Sequence, residues 1–136
     1  MIFRFFYTRR RRKKPSGPQV EELRRRARAY LPGRLASLAS RASDISGLEF
    51  RYSRVAIKNN LTNWGSCSTK GNINLNLHLV KLSPELQDYV MLHELCHLVH
   101  PDHGRAFHKL LDSLCTAFGL GHEKELRAEL RKERIA

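Results

Sequence analysis

The sequence predicts an α+β domain, and three observations carry that prediction. Apolar residues recur at helical spacing from Leu23 to Ala42. Ile73, Leu75, Leu77 and Leu79 alternate with Asn74, Asn76 and His78, the period of a strand with one buried face. Ser83-Pro84 then opens a second helical stretch, with a capping side chain followed by proline at the first helical position. Helix, strands and helices in that order read as α+β rather than as alternating βαβ units. The chain has 136 residues, enough for one domain with appendages and too few for two.

Taken in order, Pro15-Ser16-Gly17-Pro18 is a breaker cluster that marks the start of the folded part. The helix that follows contains Pro32-Gly33, so a kink or a break into two helices is expected there. Residues 49–58 are aromatic and β-branched and read as strand, with a bulge or break near Ser53-Arg54 where the apolar positions change parity. A loop from Asn59 to Lys70 carries Trp64-Gly65-Ser66-Cys67-Ser68, and a cleaner strand covers 72–79. The sheet is expected to be short and of antiparallel type. The helix from Ser83 should run to about His100, where Pro101 stops it, and another should span 104–118. Residues 121–136 form a charged helix with a narrow Leu126/Leu130 stripe. The expected organisation is a basic arm at 1–17, a domain at 18–120 and that terminal helix.

Charge is unevenly spread. Of the net +12, residues 1–14 contribute +7 and residues 15–43 contribute +4, leaving the rest nearly neutral. An arm of this kind, with its cations between residues 4 and 14, suits nucleic acid or another polyanion, although a solvated tail has the same composition. No apolar run is long enough for a membrane-spanning helix, and the apolar residues precede the basic ones, the reverse of a secretory signal. Three cysteines are too few and odd in number for a disulfide framework. The expected setting is therefore cytoplasmic and reducing.

The chemistry concentrates at His93-Glu94-Leu95-Cys96-His97. On a helix of 3.6 residues per turn, His93 and His97 stand one turn apart on one face, where both imidazoles can reach one ion at about 2.0–2.1 Å. Glu94 flanks that ion and can accept a proton from its water. A third ligand must come from beyond the straight helix. His103, past the Pro101 break, is the preferred candidate, with His100 and His108 as competitors. Three imidazoles with one open position suit catalysis, whereas a structural site usually closes with four protein ligands. Glu94 would act as general base and then general acid on a peptide carbonyl. Zinc, as one ion, is favoured by the ligand set. Cys67 is not expected to be a nucleophile, Trp64 is expected to anchor its loop, and Tyr89, His100 and Asn76 are weak candidates for stabilising an oxyanion.

These residues occur in a recognisable order. Trp64-Gly65-Ser66-Cys67-Ser68, Gly71-Asn72-Ile73 with Asn76, Asp88-Tyr89-Val90, His93-Glu94-Leu95-Cys96-His97-Leu98 and His103-Gly104-x-x-Phe107 resemble the YgjP-like family, across roughly residues 20–118. That family is related to the SprT-like and minigluzincin peptidases. The resemblance implies a zincin-type core, a zinc ion and metallopeptidase activity on a peptide or protein substrate. It also suggests that the 72–79 strand borders the cleft, with Asn74, Asn76 and His78 at its rim and an extended peptide added as a strand. SprT-like relatives that act on DNA-bound proteins give the basic arm a role by analogy. The His93, His97, His103 spacing equals that of metzincins, but His100 stands where those use glycine, and no methionine follows the site.

Overall fold

The computed structural model describes residues 2–4 and 14–135. The expected polyanion-binding arm at 4–14 lies, apart from Arg4 and Lys14, outside the described residues. The fold is α+β. Its elements are β1 (Ile2–Arg4), α1 (Pro18–Ser46), β2 (Arg54–Lys58), β3 (Gly65–Ser68), β4 (Asn72–Asn76), a 3₁₀ turn (Leu77–Lys81), α2 (Pro84–Cys96), α3 (Arg105–Ala117) and α4 (Glu123–Arg131).

Helix α1 is continuous through Pro32, so of the expected kink or break the break does not occur. Proline removes the N–H that would bond the Arg28 carbonyl, but Arg28 is exposed and water can serve that oxygen. Ala27, Leu31, Leu35, Leu38 and Ala42 are fully buried on both sides of Pro32, so packing holds the helix across the defect. Arg34, in the turn after the proline, is tied to α2 by a paired contact. Its Nε donates to Asp88 Oδ1 at 2.9 Å and its terminal nitrogen to Oδ2 at 2.7 Å.

The sheet has strand order β1-β3-β4-β2. It is mixed, where an antiparallel type was expected. β3 pairs antiparallel with β4, β1 pairs antiparallel with β3, and β2 runs parallel to β4. The parity change at Ser53-Arg54 is the start of β2, and residues 49–53 are not strand. The long strand expected at 72–79 is shorter. Its alternation ends at Asn76, whose side-chain oxygen accepts the His78 N–H at 3.1 Å and caps a 3₁₀ turn. Leu77, His78 and Leu79 are all buried in that turn. From Leu77 on, apolar residues two apart therefore reflect burial in a turn rather than the face of a sheet.

α2 is the central helix, buried along its length from Leu86 to Cys96, with the Ser83 hydroxyl accepting from the Leu86 N–H at its start. It stops one turn before the expected His100. His97, Leu98 and Val99 close with bonds to the third residue back, and Pro101 disfavours helix at His100. Helix α4 is shorter than the terminal segment expected. It packs against the domain through Leu126 and Leu130, and Ile135 beyond it is also buried.

Candidate metal centre

The end of α2, the turn after it and the start of α3 form one corner. His93 and His97 project from the last turn of α2. Pro101 and the chain through Gly104 turn back and bring His103 to the same point. One ring nitrogen from each of His93, His97 and His103 lies within 4.8 Å of the others. The Nε2 atoms of His97 and His103 are 2.9 Å apart. Two nitrogens bound tetrahedrally at 2.0–2.1 Å would stand about 3.3 Å apart, so a small outward shift seats an ion. Neither His100 nor His108 joins this group.

The surroundings fix the rings. Phe107, fully buried, stacks on His97 at 4.4 Å between centroids and meets His93 and His103 edge-on at 5.0 Å. The His97 Nδ1–H donates to the His100 carbonyl at 3.2 Å, since a carbonyl can only accept. That bond assigns the proton to Nδ1 and leaves the Nε2 lone pair free for a metal. Burial, then the neighbouring rings, hold His93 well below the ordinary imidazole range. Burial and the His103 ring lower His97 to about 4, and burial lowers His103. All three rings are therefore neutral at pH 7, as ligands must be.

Glu94 is the group that asks for an ion most directly. It is fully buried, and neither carboxylate oxygen accepts a hydrogen bond among the described residues. Burial raises its pKa well above the ordinary carboxylate range. One oxygen lies 3.3 Å from His93 Nδ1. An unpaired carboxylate in a dry site is costly, and a cation held by the adjacent rings would offset that cost. The three imidazoles and this carboxylate fit a divalent ion.

Gly65 closes the other side. A Cβ there would meet Glu94 Cγ at 3.1 Å and Glu94 Oε2 at 3.2 Å. β3 is thus the strand that lies against Glu94, between β1 and β4 in the sheet. Asn74 pairs with Ser66 across the ladder and donates to its hydroxyl at 3.2 Å, on the opposite face of the sheet from the Gly65 side that meets Glu94. Asn76 is buried and donates to the carbonyls of Asn60 and Asn63 at 2.6 and 2.9 Å, stitching their loop. His78 is buried against Asn59 Oδ1 at 3.1 Å, and burial lowers it to about 4. These three side chains thus engage Ser66, the Asn60–Asn63 loop and Asn59.

Trp64 is buried beside Gly65. Cys67 is a buried free thiol that burial, then the Glu94 charge, push up to about 12, so it is no nucleophile at neutral pH. Cys96 and Cys115 are also free, buried and raised. Tyr89 is buried, and its hydroxyl donates to Glu123 Oε1 at 3.3 Å. A cavity of about 220 Å³ opens beside the rings, lined by Tyr89, His93, His103, His108, Glu123, Arg127 and Arg131. Sequence reasoning did not find the roles of Gly65, Phe107 and the α4 residues. The Gly65 and Phe107 positions lay inside the quoted motifs, but the α4 residues carried no signal beyond helical spacing.

No helix is long and apolar enough to cross a membrane among the described residues. No curated protein matches the chain. A solved structure of the metallopeptidase zymogen abylysin from Pyrococcus abyssi is similar, with 24% identity and a TM-score of 0.58 over 72% of this chain and 92% of that one. That likeness shows a shared fold. The family described as YgjP-like, metallopeptidase domain, matches residues 11–133, nearly the whole chain and every residue of the histidine site. The chain belongs to the YgjP-like metallopeptidase family.

Proposed function

We propose that the chain is a zinc peptidase in which His93, His97 and His103 hold one ion and Glu94 is the general base. The observation that carries this reading is the convergence of three neutral ring nitrogens beside a buried carboxylate whose oxygens accept no hydrogen bond among the described residues. A bound divalent ion lowers the pKa of a coordinated water to about 7 and polarises a substrate carbonyl. The chain supplies the rest. His97, fixed by the His100 carbonyl, presents its lone pair in a set direction. Phe107 holds the three rings in register. Glu94 takes a proton from the attacking water and returns it to the leaving amine. Its raised pKa, caused by burial, makes it a stronger base than a solvated carboxylate.

The test separates ligand from base. Glu94→Gln should keep one equivalent of zinc and lose about 10²- to 10⁴-fold in kcat on a peptide substrate. His103→Ala should lose zinc. A Glu94→Gln protein that cleaves at the parent rate would end this mechanism. An unchanged zinc content in His103→Ala would remove His103 from the ligand set.

A further inference from the structure

The cavity beside the histidines has a composition that the peptidase reading does not use. Two arginines, Arg127 and Arg131, stand one turn apart on α4 and line it together with His93 and His103. The one carboxylate in its wall, Glu123, is buried and already engaged. Its Oε1 accepts from the Tyr89 hydroxyl at 3.3 Å and lies 3.2 Å from His108 Nδ1. Its Oε2 lies 3.5 Å from the Arg127 guanidinium. Glu123 therefore works as a brace. It neutralises one cation, and the Arg127 and Arg131 pair leaves the cavity with an excess of positive charge. The Arg127 charge also reaches the rings, where it is among the lesser causes that lower His93 and His103, after burial and the neighbouring histidines.

At about 220 Å³ the cavity is smaller than the roughly 300 Å³ at which small-molecule pockets begin, a size for one side chain or a chain end. A guanidinium is a planar fork that matches a carboxylate with two parallel hydrogen bonds. We propose that this cavity is an anion subsite: it takes a substrate carboxylate, from an acidic side chain or from a peptide C-terminus, beside the bond to be cleaved. The proposal rests on the zinc-peptidase reading for the position of that bond, but the carboxylate preference of the cavity itself does not.

The test reads binding and cleavage separately. Three probes are titrated into the metal-free protein by ligand-observed NMR: acetyl-glutamate methylamide, acetyl-glutamine free acid and acetyl-glutamine methylamide. The first carries only a side-chain carboxylate, the second only a terminal one, the third neither. At least one acid should bind about tenfold more tightly than the neutral probe, and the acid that does so identifies the source. The advantage should shrink in salt. Arg131→Gln, at an exposed position that does not endanger the fold, should remove most of it, as should Arg127→Gln. The charge-matched control Arg51→Gln, at an exposed position outside the cavity, should leave it intact.

In the zinc-loaded enzyme, the ratio of kcat/KM for acidic over amide peptides should fall in the same two variants. Equal binding of all three probes overturns the subsite, as does an acid preference that survives both arginine substitutions. An enzyme that binds acids in this pattern but cleaves no peptide would keep the subsite and refute the peptidase mechanism instead.

Discussion

Replacing Gly65 by alanine should slow the enzyme without replacing a metal ligand. The added methyl would sit 3.1 Å from Glu94 Cγ, 3.2 Å from Glu94 Oε2 and 3.3 Å from the Asn74 carbonyl oxygen. Carbon atoms pack best at about 3.5–4.0 Å, so the methyl must gain a few tenths of an ångström against both neighbours. The Asn74 carbonyl belongs to the β3–β4 ladder and yields little. Glu94 is the neighbour that can move. A misplacement of about 1 Å costs on the order of 10²-fold in rate, so a shift of a few tenths predicts a loss of about three- to thirtyfold in kcat. Overpacking of this degree also destabilises by about 1–3 kcal/mol. The measurements are kcat on a peptide substrate, zinc content, and the melting temperature of the same preparation. Zinc content should hold, because the three atoms nearest the added methyl belong to Glu94 and Asn74 and none to a histidine. Parent kcat in a stable, zinc-loaded Gly65→Ala protein would refute the argument that this glycine exists to seat Glu94. Its φ is not positive, so space and not backbone freedom is what it provides.

Three further outcomes follow from the packing. Arg34→Met removes a paired contact to the nearly buried Asp88 and should destabilise by about 1–3 kcal/mol in urea titration, whereas a change under a few tenths would make the contact incidental. Pro32→Ala restores a helix hydrogen bond in a helix that is already continuous through that position, so it should stabilise by about 1–3 kcal/mol, read as a higher melting temperature. His78 is lowered from 6.5 to about 4 by burial, so an unfolded chain takes up its proton first and stability falls as pH drops from about 6.5 toward 4. His78→Gln should remove the His78 share of that acid limb in metal-free protein, up to about 3 kcal/mol at its foot, leaving the share of His93, His97 and His103, which burial also lowers. An unaltered limb would exclude a contribution from His78.

The histidine cluster was the most legible part of the fold because it depends on local rules. Helical spacing places His93 with His97, and a proline after the helix explains why the chain can return at His103. That α1 runs unbroken through Pro32 has a physical reason outside local sequence rules. A single-residue penalty was visible in the sequence, while the buried leucines that overcome it act through tertiary packing. The 72–79 segment failed differently. A strand face and a buried 3₁₀ turn both put leucines two apart, and only the Asn76 cap distinguishes them. Within that segment Asn76 stitches a loop and His78 sits in the turn, while β3 lies against Glu94. The parallel β2–β4 pairing and the docking of α4 depend on contacts between distant residues, which periodicity does not record.

The pairing of Ile2–Arg4 with Ser66–Ser68 has its own consequence for anything that approaches that margin. An outward amide can serve one neighbour at a time, and here the head of the chain has already claimed the row next to Gly65. Beyond it, the Asn59 side chain donates to the Pro15 carbonyl at 2.9 Å. A visiting segment must outbid that resident before it lies flat, so occupancy of this border depends on how firmly three residues hold their place.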